Sequence, residues 1–402
     1  MSMPDIRKVF SDLGEISGQA LLMPMPKRMA LDEVKALKRV TLGESFDRLL
    51  KDIAATGVSA STAYGMLQES DAARKVIADK QFTKVTIVSL YMITKHMMRK
   101  APLFSVNPAL NLLLEDTAIK VVVPAMFFAP PFPECFVEFD PAERRIQSER
   151  ITYSGGEKCI CEGAYIQETK FERLPPVSRD VREVLELDPN KPARVIEIGF
   201  SASPVNSTKA EATGAPVAFD NVDLISIYIQ DEHEAISDIL DRHFELYSQR
   251  MSESHCSDEN NSFVKLFKSN FAHLTKILFY LHVEKAQRRT EFEESKLSER
   301  ISQVQDKKKE KLKKQLTRVY DRIVVGPDHY TPIKDLVSTS NLPKGTKSPH
   351  YRRGYFGIRW KGIGENKVPE LVKVSHTIIN ESLMKQSLKD GKDKSPKDYE
   401  IR

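Results

Sequence analysis

The chain has 402 residues, 41% of them hydrophobic, and its 61 basic and 56 acidic residues leave a net charge of +5. That is enough apolar material for a sizeable core and two or three domain-sized units, and a charge excess this mild demands no nucleic-acid partner unless it is clustered. Four cysteines exclude a disulfide framework. The longest uncharged apolar helical stretch, Val85 to Thr94, is about half of what crosses a bilayer, and the acid-containing start MSMPDIRKVFSDLGEISG is unlike a signal peptide. A cytoplasmic, reducing location with no membrane partner is expected.

In chain order, residues 1–115 read as a helical amino-terminal region. Thr41 and Glu44 have capping-box spacing, Phe46, Leu49, Leu50 and Ile53 follow at helical intervals, and Gly57 is a stop signal. KVTIVSLYMITKHMMRK reads as a core helix. After Asn107 the texture turns β-branched and aromatic. AIKVVVPAMFFAPPFPECFVEFD predicts two strands around a proline-stiffened loop, and KCICEGAYI, ARVIEIGF and DLISIYI predict further strands. Gly155-Gly156 and residues 201–216 read as turns or loops.

Helices return at Asp231, where Ile236, Ile239, Leu240, His243, Phe244 and Tyr247 share one face. SESHCSDENN reads as a linker before SFVKLFKSNFAHLTKILFYLHVEKAQRR, one long buried helix or two, striped by Leu274, Ile277, Leu278 and Leu281. Residues 290–322 form a charged helical insertion: Leu297, Ile301 and Val304 make a thin apolar seam that resumes at Leu312, Leu316 and Val319. Its lysine run, Lys307 to Lys309 with Lys311, Lys313 and Lys314, reads first as a solvated helix face and second as a phosphate contact. Residues 385–402 are charged and expected to be mobile. The fold class is therefore α+β: a helical amino-terminal region, and a core of residues 116–289 and 323–380 whose central mixed or antiparallel sheet packs on long helices. A carboxy-terminal β-hairpin is expected to join that sheet.

Catalytic signatures are missing. The chain contains no GxxxxGK[ST], HExxH, GxSxG or GxGxxG sequence. Cys159 and Cys161 lack a second pair at zinc spacing and read as core thiols. In DEHEAISDILDRH, the groups Glu234, Asp238 and Asp241 fall opposite Ile236 and Leu240, as on the polar face of an ordinary amphipathic helix. No catalytic residue, metal or cofactor is expected.

The most distinctive stretch is SPHYRRGYFGIRWKG, with the only tryptophan of the chain, Trp360. As a strand, it sets Phe356, Ile358 and Trp360 on an apolar face and Tyr355, Gly357, Arg359 and Lys361 on the other. GIGENK is a turn and ELVKVSHTII the returning strand. A face of guanidinium and aromatic groups suits stacking on unpaired bases, phosphate pairing, or an acidic polypeptide.

Three segments carry a resemblance: PPFPECFVEFD, LTKILFYLHVEKAQRR, and SPHYRRGYFGIRWKGIGE with LVKVSHTII. Together they resemble the type V-A anti-CRISPR protein family, with homologues encoded by phages and other mobile elements. Tyr355 stands where the family often has a histidine, and Gly357 where it often has a basic residue. The resemblance implies action on the biogenesis of a target nuclease inside a bacterial host cell, through recognition of its emerging amino-terminal peptide and loss of the encoding mRNA. On that reading the chain is an adaptor. It binds a specific polypeptide, the nascent chain of a CRISPR nuclease, and contacts RNA or the ribosome through His350, Arg352, Arg353, Tyr355, Arg359 and Lys361. Two alternatives stay open: an RNA nuclease drawing on His350, His376, His233 and Glu234, and a protein-binding module without nucleic-acid contact.

Overall fold

The structure is a computed structural model. It describes residues 24–30, 35, 39, 42–79, 84–119, 122–139, 151–154, 157–204, 222–252, 257–316, 319–330, 350–352, 354–375, 377–379 and 397–398. The helical layer comes first: α1 (Met25–Met29), α2 (Glu44–Thr56), α3 (Ala60–Glu69), α4 (Asp71–Asp79) and α5 (Lys84–Arg99). Phe46, Leu50 and Ile53 of α2 are buried as their spacing predicts, and Gly57 ends the helix at φ 78°, a left-handed conformation costly for residues with a side chain. The helix starts from Gly43, so the capping box expected from Thr41, itself outside the described residues, is not what caps it.

The central sheet begins within the stretch expected to be helical. Strand β1 (Leu103–Val106) is followed by α6 (Pro108–Glu115) and β2 (Thr117–Ile119). Then come β3 (Glu134–Glu138), β4 (Ile151–Ser154), β5 (Glu157–Phe171), α7 (Arg179–Val184), β6 (Ala193–Pro204) and β7 (Val222–Ile229). Helices α8 (Ile236–Ser252) and α9 (Ser257–His282) precede β8 (Arg288–Glu291), α10 (Glu293–Gln303), α11 (Asp306–Leu316) and β9 (Arg322–Val325). The large sheet runs β7-β6-β5-β3-β1-β9-β8, with β4 added to β5. It is mixed: β1 is parallel to β3 and β9, and the other pairings are antiparallel. The fold is α+β.

Alternation along the strands divides the core in two. Phe104, Val137, Ala164, Ile166, Ile196, Ile198 and Ile227 pack with Ile236, Ile239, Phe271, Leu274 and Leu278 of α8 and α9. Leu103, Phe136, Tyr165 and Leu224 face the amino-terminal helices instead, among Phe46, Leu50, Tyr91 and Ile93. The sheet is thus covered on both faces, which accounts for the apolar run of α5, buried from Ile87 to Ile93.

Buried charge also ties the amino-terminal helices to the sheet. Arg28 of α1 grips Glu162 with two hydrogen bonds of 2.8 and 2.5 Å, both side chains fully buried. Lys95 of α5 pairs with Glu134 at 2.9 Å. Glu197 on β6 accepts the backbone N–H groups of Ala60 and Ser61 at 2.7 and 2.9 Å, satisfying donors at the start of α3 that no intrahelical carbonyl can reach.

Two expectations are corrected here, and the helical insertion is given its detail. Helix α9 already begins at Ser257, inside the expected linker, and it ends at His282, so Arg288 and Arg289 belong to an edge strand and not to the helix tail. The insertion forms two helices in contact, with Leu297, Ile301, Val304 and Leu316 partly covered and Leu312 buried. The terminal hairpin does not join the central sheet among the described residues. Its strands β11 (Gly354–Lys361) and β12 (Val368–Val374) form a separate sheet with β2, in the order β12-β11-β2.

Candidate functional site

The hairpin is positioned from two directions. Strand β2 pairs parallel with β11, setting Gly354 opposite Thr117 and Phe356 opposite Ile119. Phe356 is fully buried and meets Phe279 of α9 edge-on, their ring centroids 5.8 Å apart. Leu371 is buried beside it. At the turn, Gly362 has φ 112°, and a Cβ there would lie 2.4 Å from the Asn366 carbonyl oxygen, so the turn needs a glycine on both counts.

The ladder extends past β11 and β12. Tyr355 pairs with Val374, and in β10 (His350–Arg352) and β13 (Thr377–Ile379) His350 pairs with Ile379 and Arg352 with Thr377. Counting residues outward from Tyr355–Val374 reaches those pairs in the same register. The described residues from His350 to Ile379 thus keep the register of one antiparallel hairpin. Two further residues, Lys397–Asp398 (β14), pair with β10. Tyr355 of the expected site is half-buried, and Arg359 and Lys361 are exposed at the far end of β11. His350 and Arg352 lie on the same extended ladder. Arg353, His376 and most of the stretch expected to be a mobile tail are outside the described residues.

Register brings in a residue the sequence reading missed. Glu370 sits directly opposite Arg359. Arg359 donates to one Glu370 oxygen from Nε at 3.0 Å and Nη2 at 2.7 Å, and Lys361 Nζ lies 3.9 Å from the other oxygen. The Arg359 hydrogen bond holds the Glu370 carboxyl below its usual pKa, and the Arg359 guanidinium is raised in turn. The tip is thus a charged triad and not a bare cationic surface. Val372 and Val374 fall opposite Gly357 and Tyr355, on the face expected to be basic, while Lys373 falls opposite Phe356. Burial lowers the Lys373 pKa.

Trp360 also departs from expectation. It shares a face with Phe356, yet 60% of its surface is open, with Ile363 at 90% and Val368 at 60%. The core beneath the hairpin ends at Ile358 and Leu371, and the strands run on past it. Both faces are therefore open at the tip: Trp360 projects from one, Arg359, Lys361 and Val368 from the other, with Ile363 in the turn between the strands.

The other candidates are accounted for by structure. Cys135 and Cys161 are buried free thiols, and burial raises the Cys135 thiol. A β-bulge falls between Cys161 and Gly163. His243 is buried, its Nδ1–H bonded to the Ile239 carbonyl at 2.7 Å and its Nε2 accepting the Tyr228 N–H at 3.0 Å, and burial lowers its pKa to about 4. Glu234 pairs with Arg242 at 2.7 Å. Among the described residues, no group of three or more His, Cys, Asp or Glu side chains could hold a metal ion, and no helix is long and apolar enough to cross a membrane.

Compared with known families, the sequence matches the anti-CRISPR type V subtype A2 family (AcrVA2-like) over residues 104–368. The chain belongs to this family. The match takes in the central sheet, α8 to α11 and the hairpin as far as Val368, and so reaches the strand carrying Tyr355, Trp360 and the two cations. A solved structure titled "Crystal structure of AcrVA2" is similar at 12% identity with a TM-score of 0.42, covering 86% of this chain and 99% of that one. No curated protein matches the sequence.

Proposed function

We propose that the protein is a non-enzymatic adaptor that lowers the expression of a type V-A CRISPR nuclease inside the bacterial host cell. It recognises a polypeptide of that nuclease, the nascent chain, and the hairpin is its contact surface. The observation that carries this reading is the hairpin tip of an anti-CRISPR family member, exposed on both faces: Trp360 on one, Arg359 and Lys361 with Val368 on the other, and Ile363 at the turn. Tryptophan and arginine dominate the energetics of protein interfaces, and exposed large apolar side chains close to charge are a mark of such surfaces. Glu370 orients Arg359, so an incoming carboxylate or phosphate meets a guanidinium already fixed in place. His350, Arg352 and Tyr355 extend the contact along the ladder, toward RNA or the ribosome, and Arg353 of the same sequence stretch joins them in this reading.

The test is cell-free translation of a type V-A nuclease mRNA with the purified protein. Nuclease yield should fall with wild type and recover with Trp360→Ala combined with Arg359→Ala, while an unrelated message is spared. Cleavage of purified mRNA by the protein alone, abolished by chelator, would replace this reading with a nuclease. Unchanged repression by the double variant would remove the hairpin from it.

A further inference from the structure

We infer that α11 is a phosphate-binding arm that holds the RNA backbone on a surface separate from the hairpin. The inference deepens the RNA contact of the reading above. Its first support is where the charge lies. The chain as a whole carries +5, and residues 306–316 contain six lysines against two acids, an excess of four. This is the clustering that the overall composition does not reveal.

Structural need does not account for these lysines. Among the described side chains of α11 only Leu312 is buried, and Lys308, Lys311 and Lys313 are exposed. Among the described residues neither Lys308 nor Lys311 has an ion-pair partner, and Lys313 has only Glu310 at 3.9 Å. The more covered cations Arg28, Lys95, Arg194, Arg242 and Arg322, by contrast, each meet a carboxylate. The sequence also repeats like charge at four-residue spacing, Lys307 with Lys311 and Lys309 with Lys313, which weakens an isolated helix. A polyanion laid along the helix removes that repulsion, so binding and helix stability reinforce each other.

The chemistry selects phosphate over a carboxylate partner. Lysine is a strongly hydrated point charge on a flexible stem, suited to diffuse contact with a phosphate backbone. Paired recognition of carboxylates favours the rigid fork of arginine. The arm carries no aromatic residue between Glu293 and Leu316, so it offers no base stacking, and its contact is independent of sequence. The helix that leads into it, α10, is anchored at its start. Asp321 accepts the N–H groups of Glu294 and Ser295 at 2.9 and 3.1 Å, and Lys27 holds Glu294 at 2.6 Å.

The experiment measures affinity of the full chain for a single-stranded RNA oligonucleotide of about 20 nucleotides across a salt series. The variants are Lys308→Ala/Lys311→Ala/Lys313→Ala, the same three positions as arginine, and Arg359→Ala/Lys361→Ala. For single strands each phosphate contact contributes about 0.7 to the slope of log affinity against log salt. The triple alanine variant should lower the slope by about 2 and weaken binding at low salt at least tenfold, with its circular dichroism unchanged. The triple arginine variant should bind as wild type. Wild-type affinity and slope in the triple alanine variant, no RNA binding by wild type, or tighter binding of polyglutamate than of RNA would each overturn the inference. Loss of slope only in the hairpin variant would overturn it too, and leave the hairpin reading standing.

Discussion

Phe356→Ala and Trp360→Ala lie four residues apart on one face of one strand, and they should behave very differently. Phe356 is fully buried against Phe279, so its truncation removes a core side chain and leaves a cavity at the joint between hairpin and α9, a loss of roughly 3–5 kcal/mol. Trp360 has 60% of its surface in solvent, so less than half of a full burial is at stake, ~1 kcal/mol. For a chain of this size each kcal/mol moves the melting temperature by about 1–2 °C. Phe356→Ala should therefore melt roughly 3–10 °C lower and Trp360→Ala within about 2 °C of wild type. Differential scanning calorimetry of the purified variants measures both. If Phe356→Ala does not accumulate, Phe356→Leu provides the same ranking at a cost of about 1.5 kcal/mol or less. A Trp360→Ala protein that melts as low as Phe356→Ala would refute the placement of the tip beyond the core.

Removing Arg28 should leave the Glu162 carboxylate buried without its guanidinium, and Arg28→Ala should lose roughly 3–5 kcal/mol in urea unfolding. Arg28→Met with Glu162→Gln should recover most of that loss, and a neutral Arg28→Ala would contradict the buried pairing. Burial lowers His96 and His243 to about 4 from 6.5, so between those values the unfolded chain binds more protons than the folded one. Stability should therefore be full above pH 6.5 and fall toward pH 4, by up to ~3 kcal/mol per imidazole. His96→Phe, which keeps a ring against Phe136 and Tyr165, should flatten part of that profile, and an unchanged pH dependence would sink the assignment.

Strands such as β6 and β7 were legible because alternation and β-branched composition act locally, and the apolar stripe of α8 was legible for the same reason. What the sequence could not convey depended on distant partners. The partnership of β2 with β11 joins residues more than two hundred positions apart, and no local pattern signals it. Alternation assigned Trp360 to the face of Phe356 correctly. How far the supporting core extends along that face depends on where α9 lies, so its exposure was out of reach. Glu370 was missed because its pairing with Arg359 follows from the hairpin register, which the turn at Gly362 and Gly364 sets. SDENN read as linker because polar composition marks solvent exposure equally in a loop and in the first turns of α9.

The measurement closest to the central claim uses Trp360, the sole tryptophan, as its own reporter. The purified protein is titrated with a peptide of the amino terminus of a type V-A nuclease while tryptophan emission and iodide quenching are followed. The account predicts that emission shifts to shorter wavelength and quenching falls as the exposed indole is covered, with both changes lost in Arg359→Ala/Lys361→Ala. Peptide binding seen by calorimetry with Trp360 emission and quenching unchanged would contradict it.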